Sequence, residues 1–514
     1  MCLRSVTCSF LFSLICSKQT NARFEHIELT KSLCSFNIGY MKPFVGRSNE
    51  LRNLEDLSQS GRACLVVLKG RRRIGKSRLA EEFGKGKEFL SFSGLAPVKG
   101  VTAQDQRDAF ARQLTTELNL PPFTFTDWSN AFAHLSMGLI KKKTVILFDE
   151  ISWMGSKDPT FTSKLKVWWD LALQNHPSVI LILCGSISTW IDKNIINSTA
   201  FFGRVSLYLE LTELSIPQCR ELLNLQGFKG SDLDFFKILS VVGGVPWYLE
   251  QIQTHHSADE NIKRLCFERN GLLVHEFDRI FNDLFSSRGA VYKQIIKLLS
   301  QGMKTLAALR KTMAYPLSGT LSQHLKSLEI CGFISKHPDW SLKTGKPGKL
   351  TLYRLSDNYL RFYIHYIEPN LAKIEQGSFL EVSLSSLPGW EPMLGFQLEN
   401  LLLKNRSLIY KAVGIQSQDV VVDNPYFQKA SKRARGCQID YLIQMHSNTL
   451  FICEIKMRRR ELGVEVIDAM KTKIAALSLP KGFGISPILL HLGPISDSLL
   501  SNRYFYRIID IADL

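Results

Sequence analysis

Four residues between an apolar run and a helical pattern have the types and the spacing that bind phosphate groups. Gly70, Gly75, Lys76 and Ser77 fit the pattern G-x-x-x-x-G-K-[ST], with a strand-like run before them and a helical pattern after them. In such a loop, backbone N–H groups and the helix N-terminus bind the phosphates, the lysine reaches the β and γ oxygens, and the serine binds Mg²⁺. The predicted binding residues are Gly70, Arg71, Arg72, Arg73, Ile74, Gly75, Lys76, Ser77 and Arg78. We interpret the three arginines at 71–73 as solvated or phosphate-neighbouring charges rather than as catalysts.

A second apolar run ends in two acids, as a strand beside a phosphate loop often does. Residues 145–148 are apolar and are followed by Asp149 and Glu150. We predict that Asp149 binds Mg²⁺ and that Glu150 orients or deprotonates the attacking water.

Three later positions extend this site, each with a competing interpretation. Ser186 ends a third apolar run, so it is either a sensor of the γ-phosphate or only a strand-end cap. Arg204 is either an arginine finger toward the γ-phosphate of its own or a neighbouring subunit, or a solvated arginine. Pro246 follows two glycines at a helix boundary, where it either packs against a nucleotide base or forms a plain turn.

A separate group of ionisable residues lies near the C-terminus. Alternation of polar and apolar residues predicts a strand over Thr449–Lys456, and the preceding run Gln438–Ile443 predicts its hairpin partner. Because residues two apart share one face of a strand, Glu454 and Lys456 point the same way. Asp440 lies beside Glu454 if the register of the hairpin permits.

The composition predicts a globular chain with a polyanionic partner. The 514 residues are 45% hydrophobic and 22% charged, and 64 lysines and arginines against 47 acids give a net charge of +17. Such an excess favours nucleic acid through phosphate contacts and counterion release, although an anionic membrane surface also attracts it. No run of about 18 apolar residues predicts a membrane-spanning helix.

Cysteine usage and the N-terminus bear on location. The eleven cysteines include no C-x-x-C pair, which argues against a zinc ribbon or disulfide framework and favours a reducing, cytoplasmic compartment. Residues 1–40 loosely imitate a signal or transit peptide. Because patterned sequence begins at Met41, we interpret them as a dispensable tail or a non-native start.

The stretch 285–370 has the pattern of a winged helix-turn-helix. Three segments with helical apolar spacing are followed by two strand-like runs around the Gly/Lys-rich SLKTGKPGK. The polar residues predicted on the exposed face of the third helix are Ser318, Thr320, Gln323, His324 and Lys326. Such a module either reads a DNA groove or serves only in protein packing.

These motifs together resemble those of the archaeal-type ATPases, a branch of the AAA-plus and STAND-related P-loop class. The resemblance lies in FVGRSNEL, GRRRIGKSRL, LFDEISW, CGS, GR at 203–204 and GGVPWYL, and it extends over nearly all of residues 41–514. It implies ATP binding and hydrolysis with Mg²⁺. The implied fold class is α/β: a P-loop parallel sheet with a helical lid, a winged helix-turn-helix and a C-terminal α/β endonuclease-like domain. The predicted boundaries are 1–40 (extension), 41–212 (ATPase core), 213–284 (lid), 285–370 (winged helix), 371–390 (linker) and 391–514 (endonuclease-like domain).

The C-terminal group resembles the D…(D/E)-x-K core of the restriction-endonuclease-like nucleases. Asp440 is followed after thirteen residues by Glu454-Ile455-Lys456, and GFQLENLLL supplies Glu399 as a first acid on a helix. The resemblance implies that these acids and the intervening carbonyl hold Mg²⁺ while Lys456 positions or activates water. The alternative is a domain that keeps the acids but only binds DNA or ligand. Basic residues that flank the strands are predicted to meet nucleic-acid backbone: Lys429, Lys432, Arg433, Arg435, Arg458, Arg459 and Arg460.

The sequence thus favours an ATPase that acts on DNA, with a Mg²⁺-dependent nuclease-like C-terminal domain. The alternative is a STAND-type switch in which nucleotide exchange controls a regulatory platform and the C-terminal domain is inert. DNA is the predicted partner, a homo-oligomer is compatible with both alternatives, and no membrane is predicted.

Overall fold

The computed structural model describes residues 43–96, 98–139, 143–186, 189–285, 289–430 and 435–514. The predicted N-terminal extension, residues 1–40, lies outside these ranges. None of the helices in the described ranges is long and apolar enough to cross a bilayer.

A parallel five-stranded sheet organises the first part of the chain. Its strands, in chain order, are β1 (Cys64–Gly70), β2 (Glu88–Ser93), β3 (Thr144–Asp149), β4 (Val179–Ser186) and β5 (Val205–Leu211). Their spatial order is β2-β3-β4-β1-β5, and every neighbouring pair is parallel. The near-continuous apolar runs of β1, β3 and β4 form these strands because helices cover both faces of such a sheet.

The helices of this part supply the cover. They are α1 (Ser48–Ser58), α2 (Lys76–Gly84), α3 (Ala103–Leu118), α4 (Trp128–Met137), α5 (Ile151–Met154), α6 (Phe161–Trp168) and α7 (Thr189–Ile191), with π-helical turns at Trp169–Leu173 and Asp192–Ile196 and a 3-10 turn at Thr199–Phe201. Phe110, Trp128, Phe132 and Phe148 pack together on one face of the sheet. The α/β class with a parallel sheet is therefore confirmed.

Parallel strands bring their carboxyl ends to one edge of the sheet, and the predicted nucleotide residues follow those ends. Gly70 pairs with Ser186 across β1 and β4. Asp149 ends β3, the neighbour of β4 on its other side. The edge at which ligands of open α/β sheets bind therefore carries residues from three adjacent strands.

A helical segment follows the sheet. Its helices are α8 (Ile216–Leu225), α9 (Asp232–Val242), α10 (Pro246–Leu249), α11 (Ala258–Cys266) and α12 (Glu276–Phe285). They share one apolar core with the segments that come after them, so this part does not pack as an isolated bundle.

The next segment contains the predicted helices and hairpin. Its elements are α13 (Gly289–Ser300), β6 (Lys304–Thr305), α14 (Leu306–Thr312), α15 (Thr320–Ile330), β7 (Ile334–Trp340) and β8 (Pro347–Leu355). The strands form a small sheet in the order β6-β8-β7. We call 289–355 the helix–hairpin segment; its interpretation as a winged helix stays a prediction.

The polar face predicted for α15 needs one correction. Ser318, Thr320, Gln323 and Lys326 are exposed, but His324 is buried and lies 3.2 Å from the hydroxyl of Tyr315. His324 is on the core side of α15 because it follows the buried Leu321 by three positions, so it is not available to a groove.

Four helices lead into a second sheet: α16 (Asn358–Phe362), α17 (Leu371–Glu375), α18 (Trp390–Lys404) and α19 (Arg406–Val413). Short π-helical and 3-10 turns lie between them at Tyr363–Ile367, Glu368–Asn370 and Leu384–Ser386, and one follows them at Ser417–Asp419. The elements of the second sheet are β9 (Val420–Gln428), β10 (Cys437–Met445), β11 (Thr449–Met457), α20 (Glu465–Ala476), β12 (Gly484–Leu492), α21 (Asp497–Ser501), β13 (Arg507–Asp510) and a final 3-10 turn at Ile511–Asp513. Strand order is β13-β12-β11-β10-β9. We call residues 390–514 the C-terminal sheet domain.

The predicted hairpin register is confirmed. Tyr441 pairs with Cys453 in antiparallel β10 and β11, which places Asp440 opposite Glu454. The β9–β10 pairing shifts register between Ile439 and Leu442, so an irregularity lies at Asp440. Such bulges often redirect a side chain beside a functional site.

The tip of the β7–β8 hairpin is packed onto the C-terminal sheet domain. Trp340 and Leu342 are buried with Ile439 and the other apolar residues on one face of that sheet. The indole N–H of Trp340 donates to Gln444 Oε1 at 2.9 Å, and Gln444 Nε2 donates to the carbonyl of Leu342 at 2.9 Å. The hairpin therefore takes part in packing, while the choice between the two interpretations of this segment stays a prediction.

His337 on β7 makes this packing sensitive to acid. Its ring nitrogens lie 2.7 Å from the hydroxyl of Ser335 and 3.1 Å from Oδ1 of Asn424 on β9. Burial lowers the pKa of His337 from 6.5 to about 4. The bond to Asn424 opposes this shift, and the charges of Arg354 and Arg406 add to it.

We predict that the free energy of unfolding falls by roughly 3 kcal/mol between about pH 6.5 and pH 4 because of His337. Between these pH values the unfolded chain binds a proton at His337 that the folded chain does not bind. Above about pH 6.5 the contribution of His337 to the free energy of unfolding is constant. Urea unfolding of the wild type and of His337→Gln across this range measures the effect. The variant should lack this part of the slope, whereas His255→Gln, which removes an exposed ring, should keep it. Equal slopes in the wild type and His337→Gln would contradict the assignment.

Candidate nucleotide site and C-terminal carboxylate pair

The loop between β1 and α2 has a backbone that only small residues permit at two positions. Gly75 has φ +90°, in the left-handed region that glycine adopts without strain. A Cβ on Gly70 would lie 2.9 Å from the carbonyl oxygen of Leu211 and from a methyl of Ile74. The glycines of the motif therefore allow the turn and the close approach of β5.

The two chemically active residues of the loop face the edge of the sheet. Lys76 is buried and its Nζ donates to the carbonyl oxygen of Arg71 at 3.2 Å, across the mouth of the loop. The hydroxyl of Ser77 donates to Oδ2 of Asp149 at 2.6 Å. Hydroxyl and carboxylate oxygens are ligands that Mg²⁺ prefers, so this pair fits the predicted cation.

Glu150 and Ser186 meet at the same edge. Glu150 has φ +49°, which is uncommon for a residue with a side chain and marks a constrained position. The hydroxyl of Ser186 lies 3.0 Å from Glu150 Oε1 and donates to that carboxylate. The predicted sensor and the predicted water-orienting acid are thus joined, 36 residues apart in the chain.

The sequence around this geometry matches a known family. Residues 44–252 match an ATPase domain found predominantly in Archaea. This region is an archaeal-type ATPase domain. The match ends at residue 252, so the ATPase assignment concerns the sheet and the first helices after it.

The chain is also similar to three known proteins. An uncharacterized protein of Methanocaldococcus jannaschii is 28% identical over 343 residues, which is 65% of this chain and 71% of that protein. The Walker-type ATPase of Pyrococcus abyssi has 16% identity and a TM-score of 0.48, over 62% of this chain and 96% of its own. The ORC2 protein of Aeropyrum pernix has 15% identity and a TM-score of 0.40, over 67% of this chain and 98% of its own.

Two arginines of the ATPase loop are not solvated, which was one of the two alternatives predicted for them. Arg71 is buried, and its guanidinium pairs with Asp357 and, at 3.1 Å, with Glu213. Arg73 lies over the ring of Trp247, 3.6 Å from its centroid, and pairs with Glu276 at 3.0 Å. Both side chains therefore join the loop to later segments instead of standing in solvent, and their predicted place beside phosphate stays a prediction.

Pro246 begins α10 and is half-buried, one residue before the Trp247 that receives Arg73. Its expected contact with a nucleotide base stays a prediction. The structure does show that this turn lies near the phosphate loop, because Arg73 connects the two.

The structure corrects the prediction that Arg204 reaches the γ-phosphate of its own subunit. It directly precedes β5, whose first residue pairs with Leu65, while Gly70 pairs with Leu211 at the other end. The strand between them is about 20 Å long, so Arg204 cannot reach the phosphate loop of its own chain. Its Nε and Nη2 instead donate to the carboxylate of Asp170 at 2.7 and 2.9 Å, and this pairing lowers the pKa of Asp170 to about 2. Contact with a neighbouring subunit stays a prediction.

The carboxylate pair of the C-terminal sheet domain is assembled as the hairpin predicts. The backbone N–H of Ile455 donates to Asp440 Oδ2 at 3.1 Å. Glu454 is almost fully buried, and Lys456 on the same face places its Nζ 2.5 Å from Glu454 Oε1. Burial raises the pKa of Asp440, and the charge of Glu454 raises it further.

A lysine that the sequence analysis missed completes this group. Lys473 on α20 donates to Glu454 Oε2 at 2.6 Å and to Asp440 Oδ1 at 3.2 Å. Burial acts to lower the pKa of Lys473, but the two carboxylates raise it overall. A signal was present, because Lys473 follows the buried Val466 and Met470 at helical spacing and so lies on the inward face of α20.

Glu399 does not join the pair, so the predicted three-acid metal set is corrected to two acids. It lies on α18 and pairs with the buried Arg354 at 2.9 Å. Burial raises the pKa of Glu399, and the nearby charge of Asp440 raises it further. Among the residues that the structure describes, no group of three His, Cys, Asp or Glu side chains is placed to hold a metal ion.

The flanking basic residues that the structure describes are exposed. Lys429 and Arg435 lie where β9 ends and β10 begins, and 458–460 follow β11 at the same end of the sheet. Lys432 and Arg433 lie outside the described residues. A basic rim thus borders the end of the sheet nearest the carboxylate pair.

We predict that Lys76→Ala lowers the rate of ATP hydrolysis by about 10²- to 10³-fold, because it removes the ammonium at the mouth of the loop. Glu150→Gln should also lower hydrolysis, by roughly 10²- to 10⁴-fold, but keep nucleotide binding. Phosphate release and binding of a fluorescent ATP analogue measure the two effects. Lys85→Ala, which removes an exposed lysine at the other end of α2, is the control and should behave as the wild type. Unchanged phosphate release in Lys76→Ala would show that hydrolysis takes place elsewhere.

Proposed function

We propose that this protein hydrolyses ATP to act on DNA, and that its nucleotide state is transmitted to the C-terminal sheet domain through a chain of ion pairs. We call the four side chains Arg71, Glu213, Asp357 and Lys404 the ionic junction. This junction is the observation that carries the proposal, since it joins the phosphate loop to two later parts of the chain.

The ionic junction is built from residues far apart in sequence. Arg71 is the first residue after β1, Glu213 follows β5, Asp357 precedes α16, and Lys404 ends α18. Lys404 Nζ donates to both carboxylate oxygens of Glu213 at 2.9 Å, and Glu213 accepts from Arg71. The guanidinium of Arg71 is therefore connected to α18 of the C-terminal sheet domain through the carboxylate of Glu213.

Nucleotide binding acts on this junction through the backbone of Arg71. The carbonyl of Arg71 accepts a hydrogen bond from the ammonium of Lys76, the group that reaches the β and γ phosphates when ATP binds. When Lys76 turns to phosphate, Arg71 loses that partner while its side chain stays fixed by Asp357 and Glu213. Separating the Arg71 side chain from Asp357 would break a buried ion pair, which costs about 3–5 kcal/mol. A shift of the loop backbone at Arg71 therefore moves the ionic junction with it.

Ser77 and Asp149 hold Mg²⁺ in this proposal, and Mg²⁺ supplies charge compensation on the phosphates. Glu150 orients the attacking water, and Ser186 holds the carboxylate of Glu150 in place. The 2.6 Å contact between Ser77 and Asp149 supports this assignment.

DNA is the proposed partner because of charge. The chain carries +17, and exposed basic residues line the end of the C-terminal sheet close to Asp440 and Glu454. Contacts of this kind bind phosphate backbone without reading sequence. The exposed polar residues of α15 are a second proposed surface for the duplex.

The carboxylate pair has the donors for a divalent cation on DNA phosphate. Two carboxylates and the carbonyl of Ile455 are hard oxygen ligands, and a bound Mg²⁺ would lower the pKa of its water and stabilise charge on phosphate. Lys456 adds a positive charge beside them. We therefore propose a metal-dependent nuclease activity for this domain.

A specific observation favours the second candidate, a nucleotide-controlled switch with an inert C-terminal domain. Lys473 and Lys456 together already balance the charge of the carboxylate pair, and Arg354 holds the third acid, Glu399. A domain arranged in this way can bind DNA without cutting it.

We predict that Mg²⁺ and the purified protein nick supercoiled plasmid, and that Asp440→Ala and Lys456→Ala abolish the nicking. Agarose electrophoresis of the plasmid forms measures it. Asp468→Ala, which removes an exposed acid from α20, is the matched control and should cut like the wild type. Equal cutting by all four proteins, or by none, would favour the inert switch.

We predict that DNA raises the rate of ATP hydrolysis and that Lys404→Met removes much of this response while basal hydrolysis changes little. The physical reason is that Lys404 is the link between Glu213 and α18, but it does not touch the loop. Phosphate release with and without single-stranded, duplex and branched DNA measures both quantities.

Lys411→Met on α19 is the control for charge and should respond to DNA like the wild type, since Lys411 is exposed. An undiminished response in Lys404→Met would show that the ionic junction does not transmit the nucleotide state.

A further inference from the structure

One ammonium occupies the space between the two carboxylates of the C-terminal sheet domain. Nζ of Lys473 lies 2.6 Å from Glu454 Oε2 and 3.2 Å from Asp440 Oδ1, so it bridges one oxygen of each acid. The remaining oxygens face Lys456 and the N–H of Ile455. A divalent cation that used both acids would need the oxygens that Lys473 now holds.

The charges of this group are balanced as it stands. Asp440 and Glu454 carry two negative charges, and Lys456 and Lys473 carry two positive charges. Glu454 has a side chain only 2% exposed, so an added double positive charge would be poorly screened by water. Entry of a divalent cation therefore requires that one ammonium leave.

Lys473 is the ammonium that can leave. Lys456 forms an ion pair with Glu454, whereas Lys473 forms ion pairs with both acids. Exposure does not separate the two ammonium groups, because the side chain of Lys456 is 29% exposed and that of Lys473 is 27% exposed. The position between both acids singles out Lys473, which reaches the site from α20 on a flexible four-carbon stem. It can therefore swing toward solvent while its helix stays in place.

We propose that Lys473 is a built-in competitor of the metal: it holds the carboxylate pair closed, and it is displaced when a divalent cation and a nucleic-acid phosphate bind together. This inference rests on the metal site proposed above. The displaced ammonium needs a new anionic partner, and a phosphate group held at the basic rim supplies one. Metal and DNA then bind cooperatively, because the cation displaces the ammonium of Lys473 and the DNA phosphate gives that ammonium a new partner.

The test is direct binding of Mn²⁺ to the full-length protein, followed by the electron paramagnetic resonance signal of free Mn²⁺ without nucleotide. Asp440→Asn defines the signal of any other Mn²⁺ site, including the one at Ser77 and Asp149. The Asp440-dependent affinity is then compared among the wild type, Lys473→Met and Lys471→Met. Lys471 is the matched control because it lies on the same helix, is exposed and contacts neither acid.

We expect Lys473→Met to bind Mn²⁺ about 10- to 100-fold more tightly than the wild type, the size of effect that groups around metal ligands usually have. Lys471→Met should bind as the wild type does. A short duplex DNA should tighten Mn²⁺ binding by the wild type and by Lys471→Met, but not by Lys473→Met, in which no ammonium has to be displaced.

Circular dichroism melting checks that Lys473→Met is folded, and Lys473→Gln, which keeps a donor for Glu454, replaces it if it is not. Equal or weaker Mn²⁺ binding by the folded variant, with clear binding by the wild type, would overturn the competition. Absence of Asp440-dependent binding in every protein would instead overturn the proposed metal site itself.

Discussion

The burial of one positive charge, that of Arg71, constrains how the parts of this protein come together. An unpaired guanidinium in an apolar interior is strongly unfavourable, so the loop can fold in this way only if carboxylates arrive from elsewhere. They come from Glu213, beyond the last strand of the sheet, and from Asp357, 286 residues away in sequence. One partner of Arg71 thus lies within the ATPase domain, and the other, Asp357, lies in a segment that follows it.

The same rule explains the other polar contacts along this boundary. Arg73 pairs with Glu276 of α12, and Tyr248 donates its hydroxyl to the same carboxylate at 3.1 Å. Arg354 at the end of β8 bonds to Asn400 and Glu399 of α18. Buried ionic groups of this kind add little to net stability compared with apolar packing, but they fix which surfaces meet. A boundary held by them has few alternative arrangements.

The C-terminal sheet domain follows a different logic, because its charges are held by its own elements. Asp440 and Glu454 come from adjacent strands, and Lys473 comes from the helix that covers the same face. Here the ion pairs determine the net charge of one site, and they do not join two separate segments. The hairpin of the helix–hairpin segment packs Trp340 and Leu342 into the same apolar cluster as Val466 and Met470 of α20.

The sequence by itself determined what depends on neighbours along the chain. The glycine, lysine and serine spacing of the phosphate loop, the acids at the end of β3 and the opposition of Asp440 and Glu454 all follow from strand periodicity and short turns, so they could be predicted and were found. Only the tertiary structure decided what depends on which segment covers a side chain. Arg71 became an interior residue, His324 turned inward, Glu399 found Arg354, Arg204 lay at the far end of the sheet, and Lys473 entered the carboxylate pair. The physical reason is that the free energy of a charge is set by its solvent and its partners, and those are fixed by contacts between residues too distant in sequence for any local pattern to record.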